Sequence, residues 1–493
     1  MTEPGCTVDV GKRLDRMSWN GRHTTILLAL GAGWLFDSFE VQLFSSAVGP
    51  LGDHFGASVL ARDAVLAVWL CGILLGALFG GRLTDRFGRR RLFVATLVWY
   101  AGFTVLTGLA PTLGLVYVTR FLAALGVGAE YAIVNAAVAE FMPARVRGRA
   151  NAAVMNFWPA GAILAGLLAY VLLDTLALGT ATSWRYMFVL GGLLALIVLV
   201  FRRRIPESPR WLASRGRHDE AARIVTDLEA LGASRGGDRD PAGRDPGART
   251  GTGPATGERQ PGAGAAGGAG AGAPPGGRSA FGELVRRYPG RLALGAMLDL
   301  AEAFGYYGLF AVLSVVVLER VQISHAEIPL FYIIGNVGGL VGGLAMSTVF
   351  DRIGHRLTVV ACYVGSAASV GGLAAATASG DSGWVTAAFA LANAFGTAAW
   401  TAAYPTFTEL FPTHLRGAGV GTSVAVGRVG AIVGTLALPA LAAEVAPTLA
   451  FLVVSGFWLL GAAAMVGYTL AGGAEAAGRP LEELTAPAPS AAA

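Results

Sequence analysis

Apolar residues run in blocks of about 20 along most of the chain, each long enough to cross a hydrocarbon layer of about 30 Å. The blocks show no polar face at a 3.6-residue period, which sets them apart from the helices of a large soluble protein. They predict an all-α membrane protein with twelve transmembrane helices. The first six spans fall at 24–51, 62–82, 92–110, 114–140, 150–173 and 184–202. The second six fall at 291–318, 328–350, 357–378, 383–408, 416–441 and 447–471. The polar interruptions alternate in character. One set holds Arg82, Arg86, Arg89, Arg90 and Arg91, then Arg145, Arg147 and Arg149, then Arg202, Arg203 and Arg204, then Arg352, Arg356 and Arg416. The opposite set offers little beyond Arg62, Arg185 and Arg320. Positive charge stays on the inner side of a membrane. A multi-pass protein of the plasma membrane with both termini cytoplasmic is therefore expected.

Residues 1–23 are polar and carry Lys12, Arg13, Arg16 and Arg22, without the apolar core and cleavage site of a signal peptide. They read as a cytoplasmic N-terminal segment. The segment 203–290 separates the two sets of spans. Residues 217–231 predict a short amphipathic helix in it, and 281–288 a second. Between them, 232–278 is built of Gly, Ala, Pro, Arg and Asp, too little apolar surface to offset chain entropy, so disorder is expected. The organisation predicted is an N-terminal six-helix bundle at 24–202, the linker at 203–290, a C-terminal six-helix bundle at 291–471 and a disordered cytoplasmic tail at 472–493.

The chain repeats itself across these halves. Glu140-Phe141-Met142-Pro143-Ala144-Arg145-Val146-Arg147-Gly148 reads E-x-x-P-x-x-x-R-G, and so does Glu409 to Gly417. Asp85-Arg86-Phe87-Gly88-Arg89-Arg90 is echoed by Asp351-Arg352-Ile353-Gly354-His355-Arg356. The displacement is roughly 265 residues each time, with order preserved. Such repeats in a membrane chain predict two pseudo-symmetric bundles with a substrate site between them.

Composition agrees: 54% of residues are hydrophobic and 14% charged, against about 25% charged in a soluble domain. The net charge of +5 sits beside the spans, where it orients the protein, and needs no nucleic-acid partner. Cys6, Cys71 and Cys362 are far apart and have no metal-ligand spacing. The chain has no Walker loop and no nucleophile elbow. Neither an enzyme nor an ATP-driven pump is expected, and no metal or cofactor is called for.

Ionisable residues inside spans are expensive and face the bundle interior or water. They are Asp37 and Glu40 in span one, Arg120 and Glu130 in span four, Asp299 and Glu302 in span seven, and Arg428 in span eleven. Asp37 and Glu40 are three apart and share a helix face, as do Asp299 and Glu302. The alternative for Asp37 is a structural role, as a partner for Arg120 or as a helix cap. The fork of Arg428 suits a carboxylate, either that of an organic acid or those of Asp299, Glu302 or Glu409; Arg120 carries the same ambiguity. Aromatic and amide side chains that can shape a pocket are Trp34, Phe157, Trp158, Tyr306, Tyr307, Asn336, Asn393, Trp400 and Tyr404, although most intramembrane aromatics only pack.

Gly81-Arg82-Leu83-Thr84-Asp85-Arg86-Phe87-Gly88-Arg89-Arg90-Arg91 resembles the signature loop of the major facilitator superfamily. Arg120-Phe121-Leu122 with Leu125 to Glu130 resembles a second motif of that family. Pro206-Glu207-Ser208-Pro209-Arg210-Trp211-Leu212 looks like the motif of its sugar-porter-like members. The run Trp34 to Glu40, with Gly128-Ala129-Glu130, resembles the metabolite:proton symporter branch, which includes nicotinate, aromatic-acid and sialic-acid carriers. The resemblance covers nearly the whole chain outside 232–278. It implies that Gly81, Asp85, Arg86 and Arg89, with Asp351 and Arg352 in the repeat, brace the inner gate. Glu140 with Arg147, and Glu409 with Arg416, would form matching charge clusters, one in each half. It also implies proton coupling through Asp37, Glu130 and Glu40. The reading is a monomeric secondary transporter in the lipid bilayer. It moves a small organic acid or related polar metabolite by alternating access, with the proton as coupling ion. Proton-coupled export of a drug or natural product, and a proton-independent sugar or polyol facilitator, are the alternatives.

Overall fold

The computed structural model describes residues 10–172, 176, 180–203, 205–236, 280–323, 328–412 and 414–473. Most of the stretch expected to be disordered, 237–278, lies outside the described residues, as do 474–493, Cys6 and Arg204.

Span one is Gly21–Phe55, and its start is chemical. The Asn20 side chain accepts from the backbone N–H of Arg22 at 3.0 Å and of His23 at 3.1 Å, while Asn20 N–H donates to His23 Nδ1 at 3.3 Å. Such a box satisfies donors that a helix leaves open at its first turn. Spans two to four are Val59–Phe87, Arg89–Gly108 and Leu113–Phe141. Span five is not the single helix expected. It runs as Arg147–Met155 and then Phe157–Tyr170. Pro159 supplies no N–H for the carbonyl of Met155 and its ring crowds that carbonyl, so the ladder breaks there. Span six is Thr180–Arg202.

In the second half, span seven is Pro289–Val312, continued by a wider π-helical turn at Leu313–Val317. Spans eight to twelve are Ile328–Ile353, His355–Ser379, Ser382–Glu409, Arg416–Glu444 and Pro447–Leu470. Gly88, with φ 94°, and its repeat mate Gly354, with φ 90°, end spans two and eight in a conformation that disfavours any side chain. Among the described residues, ten of the spans, with Arg147–Tyr170 taken as one run, are long and apolar enough to cross a bilayer by themselves. Spans seven and ten fall short of that measure. Their polar content, Asp299 and Glu302 in one and Asn393, Thr397, Thr401 and Tyr404 in the other, is buried between helices rather than shown to lipid.

The halves meet along two seams. Span two packs on span eleven, and span five packs on span eight. The outer surface carries exposed Phe79, Trp99, Leu193, Ile197, Val341 and Leu344, as lipid contact requires. Short helices gather on the face that also carries the start of span one and the end of span twelve. They are Val10–Arg16, Pro209–Ser214, His218–Gly236 and Ala280–Arg287. The first was not legible in the sequence, and the third runs to Gly236, five residues into the stretch expected to be disordered. Ala221, Val225 and Leu228 form the buried stripe of His218–Gly236. This surface is called the terminal face below.

Candidate functional site

Midway through the bundle, rings from both halves meet. Trp34 of span one lies edge-on to Tyr131 of span four at 4.6 Å between centroids and to Trp158 of span five at 5.6 Å. Across the midline it meets Trp400 at 5.6 Å and Tyr404 at 6.3 Å, both on span ten. Trp158 and Trp400 approach to 4.7 Å. Tyr306 of span seven adds a ring 6.1 Å from Trp400. Edge-to-face contact at these separations is favourable for aromatic pairs. Trp34, Trp158 and Trp400 are 0%, 2% and 4% exposed, so the aromatic cluster is closed to solvent in this structure.

Arg428 of span eleven projects into this wall. Its guanidinium lies 5.0 Å from the Tyr131 ring centre and 5.1 Å from that of Tyr307. It is 1% exposed, and its Nε and Nη1 have no hydrogen-bond partner among the described residues. No carboxylate there comes within ion-pair distance of it. Glu409, one of the neutralising partners considered above, is taken by Arg147 instead. The arrangement is a guanidinium with open donors between two tyrosine rings. Asn393 donates to the backbone carbonyl of Gly335 at 2.7 Å and Asn336 to that of Tyr332 at 2.9 Å, which leaves each amide with a buried, unsatisfied oxygen.

The N-terminal half holds its charges in pairs. Arg120 donates to Glu40 Oε1 at 2.7 Å, and Thr104 donates to the same oxygen. Arg120 therefore pairs with Glu40 and not with Asp37, because position 40 lies one turn further along span one, level with the Arg120 guanidinium. Phe44 and Phe188 flank that guanidinium at 5.1 and 5.2 Å. Glu130 is gripped through both oxygens by Arg202 of span six, and the two residues are 0% and 1% exposed. The charge pattern reads Arg202 as a topological arginine and misses this role. Asp37 is 1% exposed, and its Oδ1 has no hydrogen-bond partner.

On the terminal face, ionic contacts cross the midline. Gly81 of span two lies so close to the backbone of Gly417 on span eleven that a Cβ on either would collide with it. That approach puts the Asp85 carboxylate on the first turn of span eleven. It accepts from the N–H of Gly417 at 3.3 Å and of Ala418 at 3.0 Å, the favourable end of a helix dipole. Arg89 reaches Asp85 at 3.3 Å and Glu140 at 2.7 Å. The matching clusters expected within each half are not formed. Arg416 instead reaches Glu140 at 3.3 Å, and Arg147 reaches Glu409 at 3.2 Å. Each pair joins the two halves, because close packing of spans two and eleven brings the repeat-related loops together. Arg86 and Arg352 stand outside the network: both are exposed, and Arg86 lies over the Phe87 ring at 5.4 Å. The Asp351 side chain is outside the described residues.

Several contributors here escaped the sequence reading. Glu207 accepts from the N–H of Arg89 at 2.8 Å, so the Pro206–Leu212 motif caps span three. Trp211 donates to the carbonyl of Asp85 at 2.9 Å. Asp15, from the N-terminal helix, accepts from Arg210 at 2.8 Å and lies 3.7 Å from Arg147.

Known proteins sharpen this picture. The family model described as "Sugar (and other) transporter" matches residues 35–243 and 267–487. The chain is 26% identical to the niacin transporter NiaP of Acinetobacter baylyi over 86% of its own length and 88% of the relative's. It is 24% identical to the putative niacin/nicotinamide transporter NiaP of Bacillus subtilis over 85% of this chain and 88% of that one. Among solved structures, the proton:xylose symporter XylE bound to 6-bromo-6-deoxy-D-glucose superposes with a TM-score of 0.73 at 20% identity, covering 94% of this chain and 99% of that one. With twelve spans in two bundles and the family model matching both, the chain belongs to the sugar (and other) transporter family: it is a multi-pass major facilitator protein that moves small molecules across a membrane, not an enzyme.

Proposed function

We propose that this transporter takes up a small organic acid, most simply an aromatic monocarboxylate, together with a proton, across the plasma membrane. The carrying observation is Arg428, a buried guanidinium with unpartnered N–H groups between the rings of Tyr131 and Tyr307. A guanidinium offers paired donors to a carboxylate, and the Trp34, Trp158 and Trp400 rings offer faces and edges to a flat ring. Two relatives along most of the chain are named for niacin, which is such an acid. In this reading the terminal face is cytoplasmic and the protein works as a monomer. The ion pairs Arg147–Glu409 and Arg416–Glu140 close the inner gate and part when the halves rock. Asp37 carries the proton, with its carboxylate free of a salt bridge, while Glu40 and Glu130 are held by arginines. A sugar or polyol carrier is the second reading, favoured by the Pro206–Leu212 motif; a neutral sugar would leave Arg428 without a counter-charge.

The test is substrate-triggered proton movement in vesicles holding the purified protein, read by a pH dye over a panel of aromatic acids, aliphatic acids and sugars. Nicotinate or a similar acid should carry protons inward in wild type, and Asp37→Asn should lose the proton signal while still exchanging labelled acid. Sugar flux without proton movement would replace this reading with the second one.

A further inference from the structure

We propose that Asp299 and Glu302 form a second proton-binding site, in the C-terminal half, that loads when a substrate carboxylate settles beside Arg428. The inference rests on the organic-acid reading above and adds where the compensating charge goes.

Asp299 and Glu302 lie one turn apart on span seven and are 0% and 3% exposed. Neither oxygen of Asp299, nor Oε2 of Glu302, has a hydrogen-bond partner among the described residues. Asp299 Oδ2 lies against the bare Cα of Gly427 on span eleven, where a methyl group would collide with it. That glycine lets the carboxylate sit one residue from Arg428. The groups facing the pair come from four helices. Span eleven gives Arg428, span ten Tyr404, span nine Tyr363 with Cys362 beside it, and span seven itself Tyr306. Span twelve packs Trp458 against Gly305 of span seven and adds no titratable group there. The Tyr404 hydroxyl is fully buried and faces Asp299 as a neutral polar group. Arg428 is thus the one cation facing two carboxylates among the described residues, and none of the three is in an ion pair. The N-terminal half differs, since Glu40 and Glu130 each have a guanidinium of their own.

Charge then decides. A substrate carboxylate beside Arg428 would set three negative charges around one positive charge, away from water. Buried ions without partners are neutralised rather than tolerated. A proton from the water on the open side bonds to an oxygen of Asp299 or Glu302 as the acid arrives, and returns to water as the acid leaves. No bond in the substrate changes.

The test is calorimetric titration of the purified, full-length protein with nicotinate in buffers of different ionisation enthalpy, which counts protons taken up per acid bound. The double variant Asp299→Asn/Glu302→Gln should take up about one proton fewer than wild type, and Asp299→Glu should restore the wild-type count. Each single variant, tested in case the double one does not fold, should show part of the loss. Exchange of labelled nicotinate in vesicles, which needs no net proton movement, should survive in all of them. An unchanged proton count in folded variants that still bind nicotinate overturns the inference. So does a count abolished by Asp37→Asn alone, which would leave the symport reading intact. A wild type that binds none of the acids sinks the reading itself, and this inference with it.

Discussion

Arg428 is a cation held between two phenol rings with no carboxylate in ion-pair range among the described residues, a costly placement inside a membrane unless something visits it. Replacing it by lysine keeps the charge but removes the planar fork. Arg428→Lys should weaken binding of an aromatic acid by about 1.5–3 kcal/mol, roughly ten- to 150-fold, followed by quenching of the tryptophan fluorescence of the aromatic cluster. Sugar binding, if any, should not change. Arg202 and Glu130 are the opposite case, a fully buried pair that satisfies itself. Removing one partner strands the other. Glu130→Gln should cost about 3–5 kcal/mol of stability and lower the unfolding temperature in detergent. Glu130→Met with Arg202→Met should recover most of that loss, because a well-packed apolar pair often matches a buried ionic one. Recovery of stability without recovery of the proton-coupled uptake proposed above would assign Glu130 a part in coupling beyond its structural one.

At the scale of elements, the N-terminal helix Val10–Arg16 has only seven residues, yet it ties three parts of the terminal face together. Arg13 pairs with Glu229 of the linker helix and Asp15 joins Arg210 and Arg147, while beyond this helix Asn20, the cap of span one, donates to the carbonyl of Leu228 at 2.7 Å. Asp15→Asn removes a charge from the network that closes this face. It should shift the population toward the state open on the terminal side by several-fold, about 1 kcal/mol or more, measured by spin-label distances between spans two and eleven. The Arg13 hydrogen bond holds the Glu229 carboxyl below its ordinary range. A depressed carboxyl contributes above its unfolded value and loses that contribution as pH falls through the folded one. The clasp should therefore be intact at neutral pH and weaken only in acid. The long helices were legible in the sequence because an apolar block of bilayer length has few other fates. Val10–Arg16 was not, since seven mixed residues carry no periodic signal and the helix exists through its docking. Pro159 was visible, but Pro50, Pro405 and Pro439 lie inside continuous helices, so a proline alone does not say which span breaks. The intramembrane charges could be read as buried, whereas their partners could not. Whether Arg120 finds Asp37 or Glu40 is settled by the relative height of two packed helices, which no spacing within one helix reports.

For the whole molecule, the decisive fact is that the repeated E-x-x-P-x-x-x-R-G segments exchange partners: Arg147 takes the glutamate of the other half and gives up its own half's Glu140 to Arg89 and Arg416. Pairs confined to one half would ride along with that half and do nothing for the gate. In the gate proposed above, pairs that cross the midline form on closure and break on opening, so their free energy enters the conformational equilibrium directly. All four residues are 2% exposed or less, which makes each lone charge expensive and the closed state dependent on both partners. Reversing one pair tests this. Arg147→Glu alone sets two carboxylates face to face and should abolish uptake, with the terminal side held open. Glu409→Arg alone brings two guanidinium groups together and should do the same. Combining the two restores an opposite-charge pair across the same gap and should return a measurable fraction of wild-type uptake and of terminal-side closure. Each single variant must first be shown to fold by its elution from a sizing column. If the reversed pair recovers nothing while both singles are folded, these charges act on neighbours such as Asp15 within their own surroundings, and closure of the terminal face then rests on Asp85 at the head of span eleven.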